Sequence, residues 1–135
     1  MKLTREEVID TIKIAHGNGE TPNLRQADLW GVSLNETNLQ GADLRQAYLR
    51  RADLRQTNLK ETNLTEADLS GSDLRGANLR QAELSNVDLH EADLCRADLR
   101  ETDLQGANLR RAKYNDETLW PTGFDPIQAG AIHTE

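Results

Sequence analysis

A leucine occupies every fifth position from Leu24 to Leu109, eighteen times in succession without a miss. This period suits neither regular secondary structure. On an α-helix, five residues advance by about 500°, so successive leucines would point about 140° apart and form no apolar stripe. On a continuous strand, an odd spacing sends successive leucines to opposite faces. The period therefore excludes a helical bundle, a heptad coiled coil and a flat sheet.

The residues around each leucine indicate a strand followed by a corner. Two residues before the leucine, the side chain is Ala in ten units, Thr in four and Val in two, and the residue directly before it is Asp in nine and Asn in six. The alternation predicts that the small residue and the leucine point inward, since a narrow, close-packed tube has room for one large side chain per side. We expect the outward Asp or Asn to accept hydrogen bonds from nearby backbone N–H groups and to support the corner.

The two residues after each leucine form the corner. The second of them is Gly in five of the eighteen units, where a positive φ is expected. The other thirteen units carry Gln, Glu, Arg or Asn there. We therefore expect a second corner geometry in those units.

The units "ADLRQ", "ANLRQ" and "ADLRE" resemble the A(D/N)LXX motif of the pentapeptide repeat family, over roughly residues 22–119. The resemblance implies an all-β solenoid, a right-handed quadrilateral β-helix with four units per coil and about 4–5 coils in total. Tyr114 and Leu119 continue the leucine phase, but Glu117 stands where Ala or Thr should point inward, so the regular tube is expected to have ended by that residue. The structural core would include the inward leucines Leu44, Leu54, Leu64, Leu74, Leu84 and Leu94.

Both ends of a stacked coil need a cover, because open strand edges invite aggregation. At residues 1–21, a capping box from Thr4 to Glu7 precedes an apolar stripe of Val8, Ile12 and Ala15, which predicts a capping helix and loop. Residues 22–113 form the repeat, and residues 114–135 form a C-terminal cap or tail. In this tail, four apolar residues are expected to cover the last coil: Trp120, Phe124, Ile127 and Ile132. The same cap offers a dimer contact, so both a monomer and a dimer through an end cap are left open.

Composition and motifs argue against an enzyme. The three histidines are scattered, and the chain has no nucleophile–base spacing, phosphate-binding loop or metal-binding motif. We expect no catalytic residue, metal, cofactor or small-molecule substrate. No apolar run is long enough to insert into a membrane, and a single cysteine, Cys95, fits the reducing cytoplasm.

Charge distribution bears on the macromolecular partner. The resemblance suggests one candidate function, because fluoroquinolone-resistance members of the family mimic DNA with an acidic rod and bind type II topoisomerase. Here residues 22–113 carry 15 acidic and 13 basic residues, whereas a DNA mimic needs a continuous negative surface. A modulator of gyrase is therefore the alternative rather than the first hypothesis. Nucleic acid is not expected to bind either, since the net charge is −7 and the basic columns are interpreted as cross-coil ion pairs.

The first hypothesis is a protein-interaction or scaffold module in the cytoplasm, with an unknown protein partner. Its possible binding surface comprises Trp30, Tyr48, Arg50 and Arg51, because outward aromatic residues are rare in this chain and interface hot spots are rich in Trp, Tyr and Arg. Arg50 is expected to stack on Trp30. The competing interpretation is that Trp30 packs under the N-terminal helix or its loop.

Overall fold

The computed structural model describes all residues 1–135 and pairs backbone segments that lie twenty residues apart. Parallel bridges join Asn23 to Asp43 and Asp43 to Asn63, and the same step recurs along the rod. The N–H of Leu24 donates to the carbonyl of Asp43 at 2.8 Å, one rung of this ladder. Each coil therefore contains four units, one on each side. The sides are called first to fourth, beginning at Leu24, Leu29, Leu34 and Leu39.

Stacked leucines and small residues fill the tube. The leucines from Leu29 to Leu99 are at most 1% exposed, and the six expected core leucines are fully buried. Small inward residues such as Ala47 and Ala97 are buried beside them. The inward Thr57 keeps its hydroxyl satisfied by donating to the carbonyl of Leu34 at 2.9 Å. The core is therefore a single apolar column that extends along the rod.

All eighteen corners share one backbone geometry, so the expected second geometry is wrong. The second corner residue has a φ between 55° and 76° in every unit, whether or not it is Gly. This conformation lets the corner N–H join the ladder, as Gln26 does by donating to the carbonyl of Arg45 at 2.9 Å. The same bond recurs from Gln26 to Glu91. The ladder thus imposes the left-handed conformation on Gln, Glu and Arg as well as on Gly.

The outward Asp and Asn side chains support these corners, as predicted. All fifteen accept a hydrogen bond from the backbone N–H two residues later, at 3.0–3.3 Å. Only Ser33, Tyr48 and Glu83 occupy the outward position without being Asp or Asn. Those three corners lack this bond.

A substitution at a corner tests the strain. Glu61 has a φ of 60°, and Glu61→Val is expected to lower the free energy of unfolding by about 1–3 kcal/mol, because a β-branched residue fits the left-handed region poorly. Glu61→Asn is the matched control, expected to be neutral or slightly stabilising because Asn tolerates that region. Urea unfolding followed by circular dichroism measures both. Equal stability of the two variants would contradict a strained corner.

One helix precedes the repeat. Helix α1 spans Arg5–Gly17 and begins with the predicted capping box, in which the Thr4 side chain accepts from the N–H of Glu7 and the Glu7 side chain accepts from the N–H of Thr4. Val8, Ile12 and Ala15 are buried, as the apolar stripe predicted. Before the helix, Lys2 forms a parallel bridge with Asp28 and adds a rung to the second side.

The C-terminal segment slips by one residue. Asp98 pairs with Leu119, twenty-one residues away, because Glu117 adds a third residue to this corner. Thr118 therefore takes the inward position at 7% exposure, and Leu119 faces outward at 42%, in agreement with the expected end of the regular tube by Glu117. Tyr114, which continues the leucine phase, is buried.

The segment after this corner covers the tube only in part. Strands β1 Lys113–Tyr114 and β2 Ile132–His133 pair in parallel. Trp120 and Phe124 stack with their ring centroids 5.1 Å apart, and both pack against the core, in agreement with their predicted role in covering the last coil. Ile127 and Ile132 are 61% and 47% exposed, so their expected role in covering the last coil is wrong. The helical part of the chain lacks the length and the apolar character that a membrane span requires.

Candidate interaction surface

The four predicted surface residues lie together on the second side of the rod. Trp30 and Arg50 occupy the first corner position on consecutive coils, where the N–H of Gly31 donates to the carbonyl of Arg50 at 2.8 Å. Tyr48 occupies the outward position and pairs with Asp28 on one coil and with Asp68 on the next. Trp30 and Tyr48 are 49% and 54% exposed, so about half of the surface of each residue is free for contact.

Trp30 has a different partner from the expected one. The Nζ of Lys2 lies 5.2 Å from its ring centroid, a cation–π distance, whereas Arg50 makes no such contact. The predicted Arg50–Trp30 stacking is therefore wrong. The reason is that the N-terminal segment adds a rung beside Asp28 and thereby brings Lys2 over the indole. The competing interpretation placed Trp30 under the N-terminal helix or its loop. Lys2, which lies over the indole, precedes that helix, and Trp30 stays 49% exposed.

Four arginines elsewhere on the rod are paired by a simple rule. Wherever the sequence reads Asp-Leu-Arg, the arginine folds back onto the aspartate two residues earlier through two hydrogen bonds, Nε to Oδ1 at 2.8–2.9 Å and Nη2 to Oδ2 at 2.6–2.7 Å. The four pairs are Asp43–Arg45, Asp53–Arg55, Asp73–Arg75 and Asp98–Arg100. This arrangement neutralises both charges locally.

The pKa values of these carboxylates report the same pairing. Hydrogen bonding from the arginine is the main cause that lowers the pKa of Asp43, Asp53 and Asp98. Burial by itself would raise the pKa of Asp73. The hydrogen bonds from Arg75 outweigh this effect, and the pKa of Asp73 is lowered. The paired carboxylates therefore stay charged and occupied by their own arginines.

Arg50 departs from this rule because Tyr48 stands where the aspartate would be. Neither Arg50 nor its neighbour Arg51 forms an ion pair with any carboxylate of the chain. The substitution thus has two effects at one point on the surface. It exposes an aromatic ring and leaves the adjacent guanidinium without its intramolecular partner.

Two shallow depressions flank this point. One has a volume of about 510 Å³ and is lined by Met1, Gln26, Asp28, Trp30 and Tyr48. The other has a volume of about 210 Å³ and is lined by Arg50, Arg51, Ser70, Gly71, His90 and Glu91. The first offers aromatic surface and the second is wholly polar, so the side presents adjacent apolar and polar contacts.

Other titratable side chains do not form a site. His90 and Cys95 lie on adjacent sides, and the chain contains no group of three or more His, Cys, Asp or Glu side chains placed to hold a metal ion. Cys95 contacts the hydroxyl of Thr134 at 3.4 Å, and partial burial raises the pKa of its thiol. A thiol with a raised pKa is a poor nucleophile at neutral pH.

The family is identified by the repeat itself. A model of pentapeptide repeats, in eight copies, matches residues 23–51, 42–81 and 77–113. The chain belongs to the pentapeptide repeat family. Proteins of this family form right-handed quadrilateral β-helices, and the twenty-residue register of the bridges agrees with that architecture. Neither the family model nor the solved relatives indicate a catalytic activity.

Solved structures of pentapeptide repeat proteins resemble the chain. Rfr23 from the cyanobacterium Cyanothece 51142 is 35% identical over 73% of this chain and 64% of its own, with a TM-score of 0.63. A protein from the thylakoid lumen of Arabidopsis thaliana is 34% identical over 70% of this chain and 66% of its own, with a TM-score of 0.68. HetL from Nostoc sp. strain PCC 7120, involved in heterocyst differentiation regulation, is 34% identical over 82% of this chain and 52% of its own, with a TM-score of 0.60.

The chain therefore spans less than two thirds of the length of these relatives. No curated protein sequence matches it. The comparisons establish the family and the architecture.

Proposed function

We propose that this pentapeptide repeat protein is a non-enzymatic interaction module that binds another protein through the second side of its rod. The observation that carries the proposal is Tyr48 in the place of an aspartate, which leaves Arg50 unpaired beside two half-exposed aromatic rings. Trp, Tyr and Arg are the residues most enriched at interface hot spots. The ladder beneath them holds their positions fixed before binding, which lowers the entropic cost of association.

The proposal includes a capped rod of about 4–5 coils. Residues 1–21 would cover the first coil through helix α1, and residues 114–135 the last coil through Trp120 and Phe124. Residues 22–113 would then present the four sides. The single free Cys95 supports a reducing compartment such as the cytoplasm.

Comparative affinity capture tests the proposed surface. Immobilised wild type, Trp30→Ala and the control Ile127→Ala would be exposed to extract of the native host, followed by quantitative mass spectrometry. Ile127 is a matched control because it is an exposed apolar residue at the C-terminal end, 61% exposed against 49% for Trp30. We expect Trp30→Ala to deplete at least one protein about tenfold while Ile127→Ala retains it, since hot-spot truncation costs about 2 kcal/mol or more.

Stability of the same variants separates binding from folding. Trp30 is half exposed, so Trp30→Ala should cost less than about 1 kcal/mol of unfolding free energy. Identical capture by Trp30→Ala and wild type would contradict the proposed surface. So would a loss of capture that merely accompanies a collapse of the melting temperature.

The charge pattern does not favour the DNA-mimic alternative. Four aspartates of the repeat are neutralised by the arginines two residues later in the sequence. On the sides of the rod that carry these pairs, no continuous negative stripe forms. A gyrase supercoiling assay is the direct check. Inhibition at low micromolar protein would favour the topoisomerase function over the interaction module.

A further inference from the structure

We infer that the second side recognises a carboxylate of its protein partner, held by Arg50 through the two-point contact that the Asp-Leu-Arg units make within the chain. This inference rests on the proposed function and adds the chemistry of the partner. The occupant is an extended segment of the partner with one carboxylate side chain and one apolar residue. Its carboxylate completes the pair that Tyr48 leaves open.

The four intact pairs define the geometry of the missing group. In each of them, the guanidinium donates to both oxygens of one carboxylate at 2.6–2.9 Å. Arg50 occupies the same corner position as those four arginines and has the same backbone ladder. It therefore presents a planar two-point donor that is matched to a carboxylate and is unoccupied by the chain itself.

The depression beside Arg50 leaves space for such a group. Gly71 forms part of its lining, and a Cβ placed there would lie 3.4 Å from Cγ of Arg51. Because Gly71 carries no side chain, the space between Arg51 and the next coil stays open. Ser70 is not an available donor, because its hydroxyl bonds to Asp68 at 2.6 Å. The two guanidinium groups are thus the main attraction for an anion.

The surrounding charges select a single carboxylate over a polyanion. Asp28, Asp68, Asp88 and Glu91 lie on the same side and would repel a nucleic acid strand or a long acidic run. Arg110 and Arg111 lie on the second side in a later coil and form no ion pair, so they add positive charge to this side. A segment with one carboxylate fits this alternation of charge better than a chain of phosphates.

The aromatic depression sets the spacing of the segment. Trp30 and Ser70 lie two coils apart, about 10 Å at the usual strand separation of about 4.8 Å. An extended chain covers that distance in about three residues. The apolar residue should therefore precede or follow the carboxylate by three positions, with the apolar side chain over Trp30 and Tyr48.

Two variants at one position isolate the charge. Tyr48→Asp restores the Asp-Leu-Arg sequence, so its carboxylate should pair with Arg50 and block the site. Tyr48→Asn removes the same ring and supplies the same corner hydrogen bond, but it brings no charge and leaves Arg50 free. The probes are the C-terminally amidated peptide Ser-Gly-Leu-Ser-Gly-Glu-Gly-Ser and its amidated counterpart with Gln in place of Glu, titrated into ¹⁵N-labelled protein and followed by NMR.

The expected result is a selective, charge-dependent response. For wild type, the Arg50 Nε–H signal should shift with the Glu peptide, and the Gln peptide should bind about tenfold more weakly, as loss of a charged hydrogen bond predicts. Tyr48→Asn should keep this preference for Glu, and Tyr48→Asp should lose it. The backbone spectra of both variants verify that the coil is intact.

Several outcomes would overturn the inference. These are equal binding of the Glu and Gln peptides by wild type, no Glu-dependent shift of Arg50 up to about 5 mM peptide, or the same preference in Tyr48→Asp and Tyr48→Asn. A larger Arg50 shift with single-stranded oligothymidine than with the Glu peptide would also overturn it. If capture by wild type still depends on Trp30 in any of these cases, the interaction surface stands and only the carboxylate preference fails.

Discussion

Leu74→Ala is expected to lower the free energy of unfolding by about 3–5 kcal/mol, the range for a fully buried leucine whose surroundings cannot collapse. Leu74 is 0% exposed and lies between Leu54 and Leu94 on the third side, in the middle of the rod. Hydrogen bonds to the coils on both sides fix the backbone around it. The tube therefore cannot close the cavity without giving up rungs of the ladder.

Leu24→Ala in the first coil is the control for this prediction. Leu24 is also buried, at 3% exposure, but it has a coil on only one side and helix α1 on the other. The helix can shift to fill part of the cavity, so we expect Leu24→Ala to lower the free energy of unfolding by less than Leu74→Ala does. Urea unfolding of both variants measures the difference, and equal losses would count against a rigid central tube.

Ala77→Leu should produce the second largest effect. Ala77 is 1% exposed and occupies the small inward position, where the chain places Ala, Thr, Val or Ser in every unit but the first. A leucine there would force the coil walls apart, and such overpacking costs about 1–3 kcal/mol or more. Thermal and urea unfolding would show the loss.

Ala77→Val is the matched control for overpacking. The chain itself accommodates Val32 and Val87 at the same position of other units. We expect this variant to unfold within about 1 kcal/mol of wild type. If leucine at this position were tolerated as well as valine, the size limit on the inner wall would be wrong.

The inside of the rod was predictable from sequence because it repeats. The eighteen leucines and the outward Asp and Asn residues each follow one rule, and the predicted corner bonds form in all fifteen cases. The corner geometry was mispredicted because positive φ was expected of Gly alone. The signal that could have corrected it is the constant two-residue corner, since a change of geometry would have shifted the ladder.

The ends and the candidate surface were less predictable because they depend on single exceptions. Glu117 at an inward position signalled in the sequence that the regular tube had ended, but the pairing of Asp98 with Leu119 was needed to show that the corner had gained one residue. Lys2 lies outside the repeat, so no pattern placed it over Trp30. Tyr48 was visible as an exception, but its consequence for Arg50 required knowing that Asp-Leu-Arg units pair internally.

The three-residue corner at Asn115–Glu117 has a consequence for how such a protein can evolve. Upstream of it, every coil is built to the same twenty-residue register, so duplication or loss of one coil-length segment would leave all four ladders aligned. Downstream of this corner, the twenty-residue register has already changed. The pairing of the C-terminal segment therefore does not depend on how many coils precede it. The rod can thus change length in whole-coil steps while keeping the same terminus.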